Sequence, residues 1–246
     1  HFWDFRGCAT GSPVTDGIAG DLVAMPTNGP TCTASGISLD GIDDYVDIDD
    51  WTWGGTISIE LYVKYDSWKD NRKVFDFGSG SPGEGGNNVL MYVPTAEKGI
   101  TWGTSSEHSI GFSSGGRLDT TTWNHVVVTA SNSVLKTYKN GVEVATKTDG
   151  YEPLAVERTH HLIGATSWGG VGGFFHGTYA FVNIWHGVEL QQADVDALFS
   201  PFDLSHHFWD FRGCTTGSPV VDARTGDLTA VPMNGATCGP AGIYLD

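Results

Sequence analysis

Residues 56–64 read TISIELYVK, and this stretch decides the fold. On an extended chain Ile57, Ile59, Leu61 and Val63 fall on one face, and Ser58, Glu60, Tyr62 and Lys64 on the other. Such alternation predicts a strand with one buried face and one solvated face. Outward from it, YVDI (45–48), KVFDF (73–77), NVLMYV (88–93), WNHVVVTA (123–130), SVLKTYK (133–139), VEVATK (142–147) and GTYAFVNIW (177–185) read as further strands. Asn140-Gly141 between two of them predicts a two-residue hairpin, because a type I′ turn needs positive φ at both positions. Many short strands separated by turns predict an all-β fold, a sandwich of two antiparallel sheets. Only ELQQADVDALF (189–199) has helical spacing, with Pro201 ending it.

The chain also repeats itself. HFWDFRGC occupies residues 1–8 and again 207–214, and a shift of 206 positions aligns 1–40 with 207–246 without a gap, 27 of the 40 pairs being identical. A long internal period predicts an array. The expected organisation is one complete domain over 1–199, a linker over 200–206 (SPFDLSH) and the opening of a second copy over 207–246. Forty opening residues of a sandwich cannot bury Trp209, Phe211 and Leu228 alone, so this segment needs a host, either its own continuation or a neighbouring subunit to which it lends strands.

The four cysteines fall at the same places in both copies, Cys8/Cys32 and Cys214/Cys238. Each pair is expected to close as a disulfide, since two cysteines without a CxxC or nearby histidines make a poor zinc signature. Such bonds persist outside the cytosol. With 34 Gly and 29 aromatic residues the chain is rich in turn formers and strand formers. A net charge of −16, with 13 scattered basic residues, argues against nucleic acid and acidic glycans, and favours neutral saccharides, cationic partners or metal-bridged anions. No apolar run reaches the 18 or so residues of a membrane-spanning helix.

The ordered set FWDF, GISLDGIDDYVDI, TISIELYVK, WNHVVVT, LKTYKNGVEV, LIGA and GTYAFVNIWHGVEL, followed by a short helix, resembles the laminin G-like jelly rolls of the concanavalin A-like lectin/glucanase superfamily. The resemblance implies a jelly-roll sandwich over most of 1–199 and, by itself, no particular activity. Many relatives carry Gly-x-Ile-Asp-x-Val in the last strand, with the Asp at a calcium site. Here the matching stretch is GTYAFV (177–182), and Ala180 offers no side-chain oxygen.

Candidate sites follow from the same reading. The resemblance raises glucanase chemistry, which needs two carboxylates about the scissile bond, yet Glu60 stands alone on its strand and reads as a solvated outward residue. The chain is expected not to be an enzyme. His160-His161 and His206-His207 are adjacent pairs that point to opposite faces of an extended chain, and His125 reads as a strand residue with one hydrogen-bond partner. The acidic run DDYVDIDD (43–50) makes calcium the possible cofactor, with Asp44, Asp47 and Asp49 as candidate ligands. Alternation puts Val46 and Ile48 inside and Asp47 and Asp49 outside. A second set of oxygens lies in GSGSPGEGGNN (78–88), at Glu84, Asn87 and Asn88. For a sugar, Trp168, Trp51 and Trp53 sit in Gly-rich loops where a ring can stand clear, with Asn87 and Asn88 as polar partners. Against that stands burial of loop tryptophans over the ends of the sandwich. Trp3 and Trp123 read as core.

Two functional expectations follow. One is a non-catalytic repeating unit of an extracellular filament, sheath or surface coat, whose partners are adjacent copies. The other is a carbohydrate-binding, lectin-like adhesin using an array for avidity.

Overall fold

A computed structural model of the chain describes residues 1–67, 71–78, 87–94, 99–105, 110–120, 122–167 and 173–199, and four short strands beyond them. The chain divides into two compact units, 1–195 and 196–246. The strands of the first are β1 (Phe2–Asp4), β2 (Val14–Thr15), β3 (Val23–Thr27), β4 (Thr31–Thr33), β5 (Gly36–Asp40), β6 (Tyr45–Ile48), β7 (Trp51–Trp53), β8 (Ile57–Tyr65) and β9 (Arg72–Gly78). They continue with β10 (Val89–Val93), β11 (Ile100–Ser105), β12 (Ile110–Gly115), β13 (Trp123–Ser131), β14 (Val134–Lys139), β15 (Val142–Lys147), β16 (Val156–Arg158), β17 (His160–Ile163) and β18 (His176–His186). One helix follows, α1 (Gln192–Phe199), its first turn closed by the Asp194 carboxylate accepting the Gln191 backbone N–H.

Sheet I has the order β15-β14-β13-β8-β18-β5-β4, with β1 also on β18; sheet II runs β12-β11-β10-β9-β17-β6-β3-β2. Every pairing between these strands is antiparallel, as a jelly-roll sandwich requires. The alternation of 56–64 decides which face goes inside. Ile57, Ile59, Leu61, Val63 and Tyr65 of β8 are all buried and meet Phe75, Phe77 and Met91 of sheet II in one core. Burying such side chains contributes roughly 1.5–3 kcal/mol each. The expected Asn140-Gly141 hairpin is present, with φ of 49° and 81° between β14 and β15. A second forms at Asn132-Ser133 (φ 49° and 64°) between β13 and β14 without any glycine. Asparagine tolerates that region; serine is held there by the hairpin on both sides.

One irregularity positions side chains. On β18 the register with β8 shifts between Tyr179 and Phe181, leaving Ala180 as an inserted residue. Tyr179 before this bulge and Val182 and Ile184 after it all face the core. Without the extra residue the alternation would send Phe181 and Asn183 inward; with it they lie on the outer face, opposite Tyr62 and Glu60. The Ala180 carbonyl accepts the Phe5 N–H at 2.8 Å, which ties the bulge to the chain after β1.

In the second unit β19 (Val220–Val221) pairs with β20 (Thr229–Ala230), and β21 (Thr237–Gly239) with β22 (Gly242–Tyr244). The 200–206 stretch lies outside the described residues.

Candidate functional site

The outer face of sheet I carries the densest set of side chains able to meet a ligand. Four rings cross it: Trp123 stacks on Tyr62 (centroids 4.9 Å, planes 16° apart), Tyr62 on Phe181 (6.0 Å, 23°), and Phe181 meets Phe2 at 5.7 Å. Trp123, Tyr62 and Phe2 are half-buried, whereas Phe181 is buried. The Arg6 guanidinium lies 5.9 Å from the Phe181 ring and donates two bonds to the Asp4 carboxylate. Trp123 was expected in the core. Its place in β13 has the outward parity of His125 and Val127, and Tyr62 on β8 supplies the surface it stacks on.

Beside this row sits Glu60, which the sequence reading made a solvated residue. Its parity is outward as expected, but it is only 3% exposed. His125 Nε2 donates to its Oε1 at 2.7 Å, and Asn183 Nδ2 donates to its Oε2 at 3.3 Å. Across the sheet it is flanked by Val127 and Asn183 in register, with Tyr138 opposite Val127 and Phe2 opposite Asn183. Large neighbours on both sides remove it from water, and alternation alone cannot report neighbours on other strands. The carboxylate holds Asn183 and His125 in fixed orientation.

The acidic run does not form one site. Val46 and Ile48 are buried, and Asp47 and Asp49 point out, as alternation requires. Asp47 and Asp49 line a shallow groove with Met25, Thr27 and Asp50, and Asp49 Oδ2 accepts the Val23 N–H. Burial pushes the Asp47 carboxyl up. Asp44 has the opposite parity and joins a different group, in which carboxylate oxygens of Asp40, Asp43 and Asp44 lie within 4.8 Å of one another. The grouping of Asp44 with Asp47 and Asp49 is therefore corrected. Asp44 is buried, accepts the Asp40 N–H at 3.1 Å, and has its pKa raised by burial and then by Asp40 and Asp43. Backbone N–H groups of Ile42 and Asp43 hold the Asp40 carboxylate, that of Ile42 doing most to lower its pKa. Among the described residues these three acids are one of two groups whose ligand atoms converge this closely, the other being His1, Asp16 and Asp21.

Trp51 and Trp53 lie on β7 and are packed rather than standing clear. Trp53 is 5% exposed, donates from Nε1 to His161 Nε2 at 2.9 Å, and lies 3.9 Å beneath the Arg158 guanidinium. Trp51 is half-buried and stacks on His161 at 3.6 Å. Neither is a free platform, because the β7–β16 ribbon presses both against the end of the sandwich. Asn88 is buried and donates to Asp76 Oδ1 at 3.2 Å, while the Asn87 carbonyl accepts from Arg158. Asp76 is wholly buried on the strand KVFDF and also takes bonds from the Thr166 hydroxyl and the Ser167 N–H; burial raises its pKa. Trp168 and Glu84 lie outside the described residues. Of the two cysteine pairs, Cys8–Cys32 is a disulfide with Cα atoms 5.4 Å apart. The side chains of Cys214 and Cys238 lie outside the described residues.

The sequence reading missed the Glu60–His125–Asn183 cluster, Arg158 and Asp76. A charged residue at the centre of a nine-residue strand was the one available signal for the first.

Comparison with known proteins agrees with this architecture. No curated protein sequence matches the chain. Domain 4 of AbnA, an extracellular arabinanase from Geobacillus stearothermophilus solved in complex with arabinotriose, superimposes with a TM-score of 0.52 at 19% identity over 80% of this chain and 86% of that domain. The Trypanosoma rangeli sialidase in complex with sialic acid gives a TM-score of 0.61 at 16% identity over 82% of this chain. There the match spans 33% of the sialidase. At these identities the likeness establishes the fold. Residues 40–196, more than half of the chain, match the family model described as concanavalin A-like lectin/glucanases superfamily, and the chain belongs to that laminin G-like family.

Proposed function

We propose that this domain binds carbohydrate without transforming it, on the outer face of sheet I. The observation that carries the reading is the row Trp123–Tyr62–Phe181–Phe2 beside the hydrogen-bonding groups of Asn183, Asp4 and Arg6. A sugar ring presents an apolar face ringed by hydroxyls, and aromatic surface flanked by fixed polar groups complements it. The net charge of −16 favours a neutral glycan. The arabinanase domain of the same fold, solved with arabinotriose, makes short neutral furanose or pyranose oligomers the first ligands to try.

A binding role is favoured over hydrolysis because Glu60 is paired with a histidine and an asparagine, and its register neighbours supply no second carboxylate. The Cys8–Cys32 disulfide fits a secreted or surface location. The filament expectation gains no support from the structural relatives, whereas a tandem array of such domains remains compatible with binding through avidity.

Isothermal titration with a panel of neutral oligosaccharides, arabinotriose included, tests the reading. Binding in the micromolar to millimolar range is expected, weakened at least tenfold in Trp123→Ala and in Tyr62→Ala, about 1.4 kcal/mol or more. Absence of binding across the panel, or binding by both variants as tight as that of the parent chain, rejects it.

A further inference from the structure

The first forty residues fill one slot in the domain. β1 lies along the second half of β18 and β5 along its first half, β4 pairs with β5, and β3 closes on β6. Filling the slot buries Trp3, Phe5, Leu22, Ile37 and Leu39. It also requires Gly36, whose φ is 142° and where a Cβ would stand 2.1 Å from the Tyr179 carbonyl oxygen on β18. Asp16, 3% exposed, accepts the backbone N–H groups of Ile18 and Ala19, which fixes the turn after β2, and that of Phe2, which ties this turn to the start of β1.

Residues 207–246 retain every one of these features. Trp209, Phe211, Leu228, Ile243 and Leu245 repeat the five apolar residues, Gly242 repeats Gly36 and Asp222 repeats Asp16. The 13 positions that differ between the copies fall, apart from Pro30/Ala236, where the structure leaves the residue of 1–40 exposed or half-buried. The backbone agrees. Val220↔Ala230 and Val221↔Thr229 are the registers Val14↔Ala24 and Thr15↔Val23 moved by 206 positions. Thr237↔Tyr244, Cys238↔Ile243 and Gly239↔Gly242 likewise repeat Thr31↔Ser38, Cys32↔Ile37 and Thr33↔Gly36. The second unit thus forms both local hairpins of the first.

We propose that residues 207–246 occupy the β18/β6 slot interchangeably with 1–40, supplied by the same chain or by a second copy. The apolar side chains, glycine and hairpin registers named above are all present in the duplicate, so the exchanged state keeps the buried surface of the original apart from the change of Pro30 to Ala236. Exchange within a chain yields a circularly permuted domain. Exchange between chains joins copies through a completed sheet.

Phe2 stands opposite Asn183 in the register of β1 with β18, so position 208 would take that place after exchange. The full chain carrying Phe208→Cys with Asn183→Cys is unfolded, refolded under mild oxidation and digested without reduction, beside a Phe2→Cys, Asn183→Cys control. A 183–208 crosslink is expected in addition to the native disulfides, and its presence in monomer or dimer bands identifies the donor chain. In parallel, Trp3→Ala and Trp209→Ala are each expected to keep cooperative urea unfolding, and the double variant to lose it. The proposal is overturned if the control crosslinks and 183–208 does not, or if Trp3→Ala alone is as unfolded as the double variant.

Discussion

Arg158 gives the sharpest test of how the sandwich end is held. It is wholly buried, has no carboxylate partner among the described residues, and donates to the carbonyls of Asn87, Trp53 and Leu154 while lying over the Trp53 ring. Burial pulls its pKa from an ordinary 12.5 to about 10, so it is a cation at neutral pH. At about 1.4 kcal/mol per pKa unit, keeping that charge inside costs roughly 3 kcal/mol. The fork of donors offsets this, because charge-assisted bonds contribute about 1.5–3 kcal/mol each. Arg158→Lys keeps the charge but loses the fork, stranding about two carbonyls and costing roughly 4 kcal/mol. Arg158→Met strands all three carbonyls but also removes the buried charge and its cost of roughly 3 kcal/mol, for a net loss of about 1–2 kcal/mol. Urea unfolding resolves the two: with m near 2.5 kcal/mol/M for a domain of this size, the Lys variant shifts the midpoint down by about 1.6 M and the Met variant by about half as much or less. A Lys variant as stable as the Met variant refutes the reasoning.

Three further outcomes are expected. His161 is held neutral down to pH about 2 and His186 to about 4, both chiefly by burial. The unfolded chain takes up these protons near pH 6.5, so stability is full above that value and falls as pH drops, by about 1.4 kcal/mol per pH unit for each histidine; urea midpoints between pH 7 and 5 should show it, with His161→Gln halving the slope. Reducing Cys8–Cys32, which closes a separation of 24 residues, should cost about 3 kcal/mol, read as a lower urea midpoint in reductant. Asp44→Asn relieves a buried carboxylate and should raise Tm slightly without divalent ions. For calcium bound at Asp40, Asp43 and Asp44, added calcium should raise the Tm of the parent chain and leave the variant unmoved, and equal response of both removes this set as the site.

What the sequence showed plainly was local. The alternation of 56–64, the Asn140-Gly141 turn and the inward Val46 and Ile48 depend on residues within a few positions of each other. The Cys8–Cys32 pair was legible for a different reason, because the duplicated segment repeats its spacing. The failures share one cause. Glu60 has an outward position on its strand, and what removes it from water comes from other strands, with its hydrogen-bond partners on β13 and β18 more than 60 and 120 positions away. Trp123 was misplaced in the same way.

The chain alone thus determined an alternating β body, its turns and a repeated opening segment, since these arise from steric preference and solvent partition along a single strand. Tertiary structure decided which outward faces stay wet, that the bulge at Ala180 turns Phe181 and Asn183 toward Tyr62 and Glu60, and that Asp44 parts from Asp47. Those outcomes depend on which strands become neighbours, and pairing across a sheet is set by the packing of the whole core rather than by any window of residues.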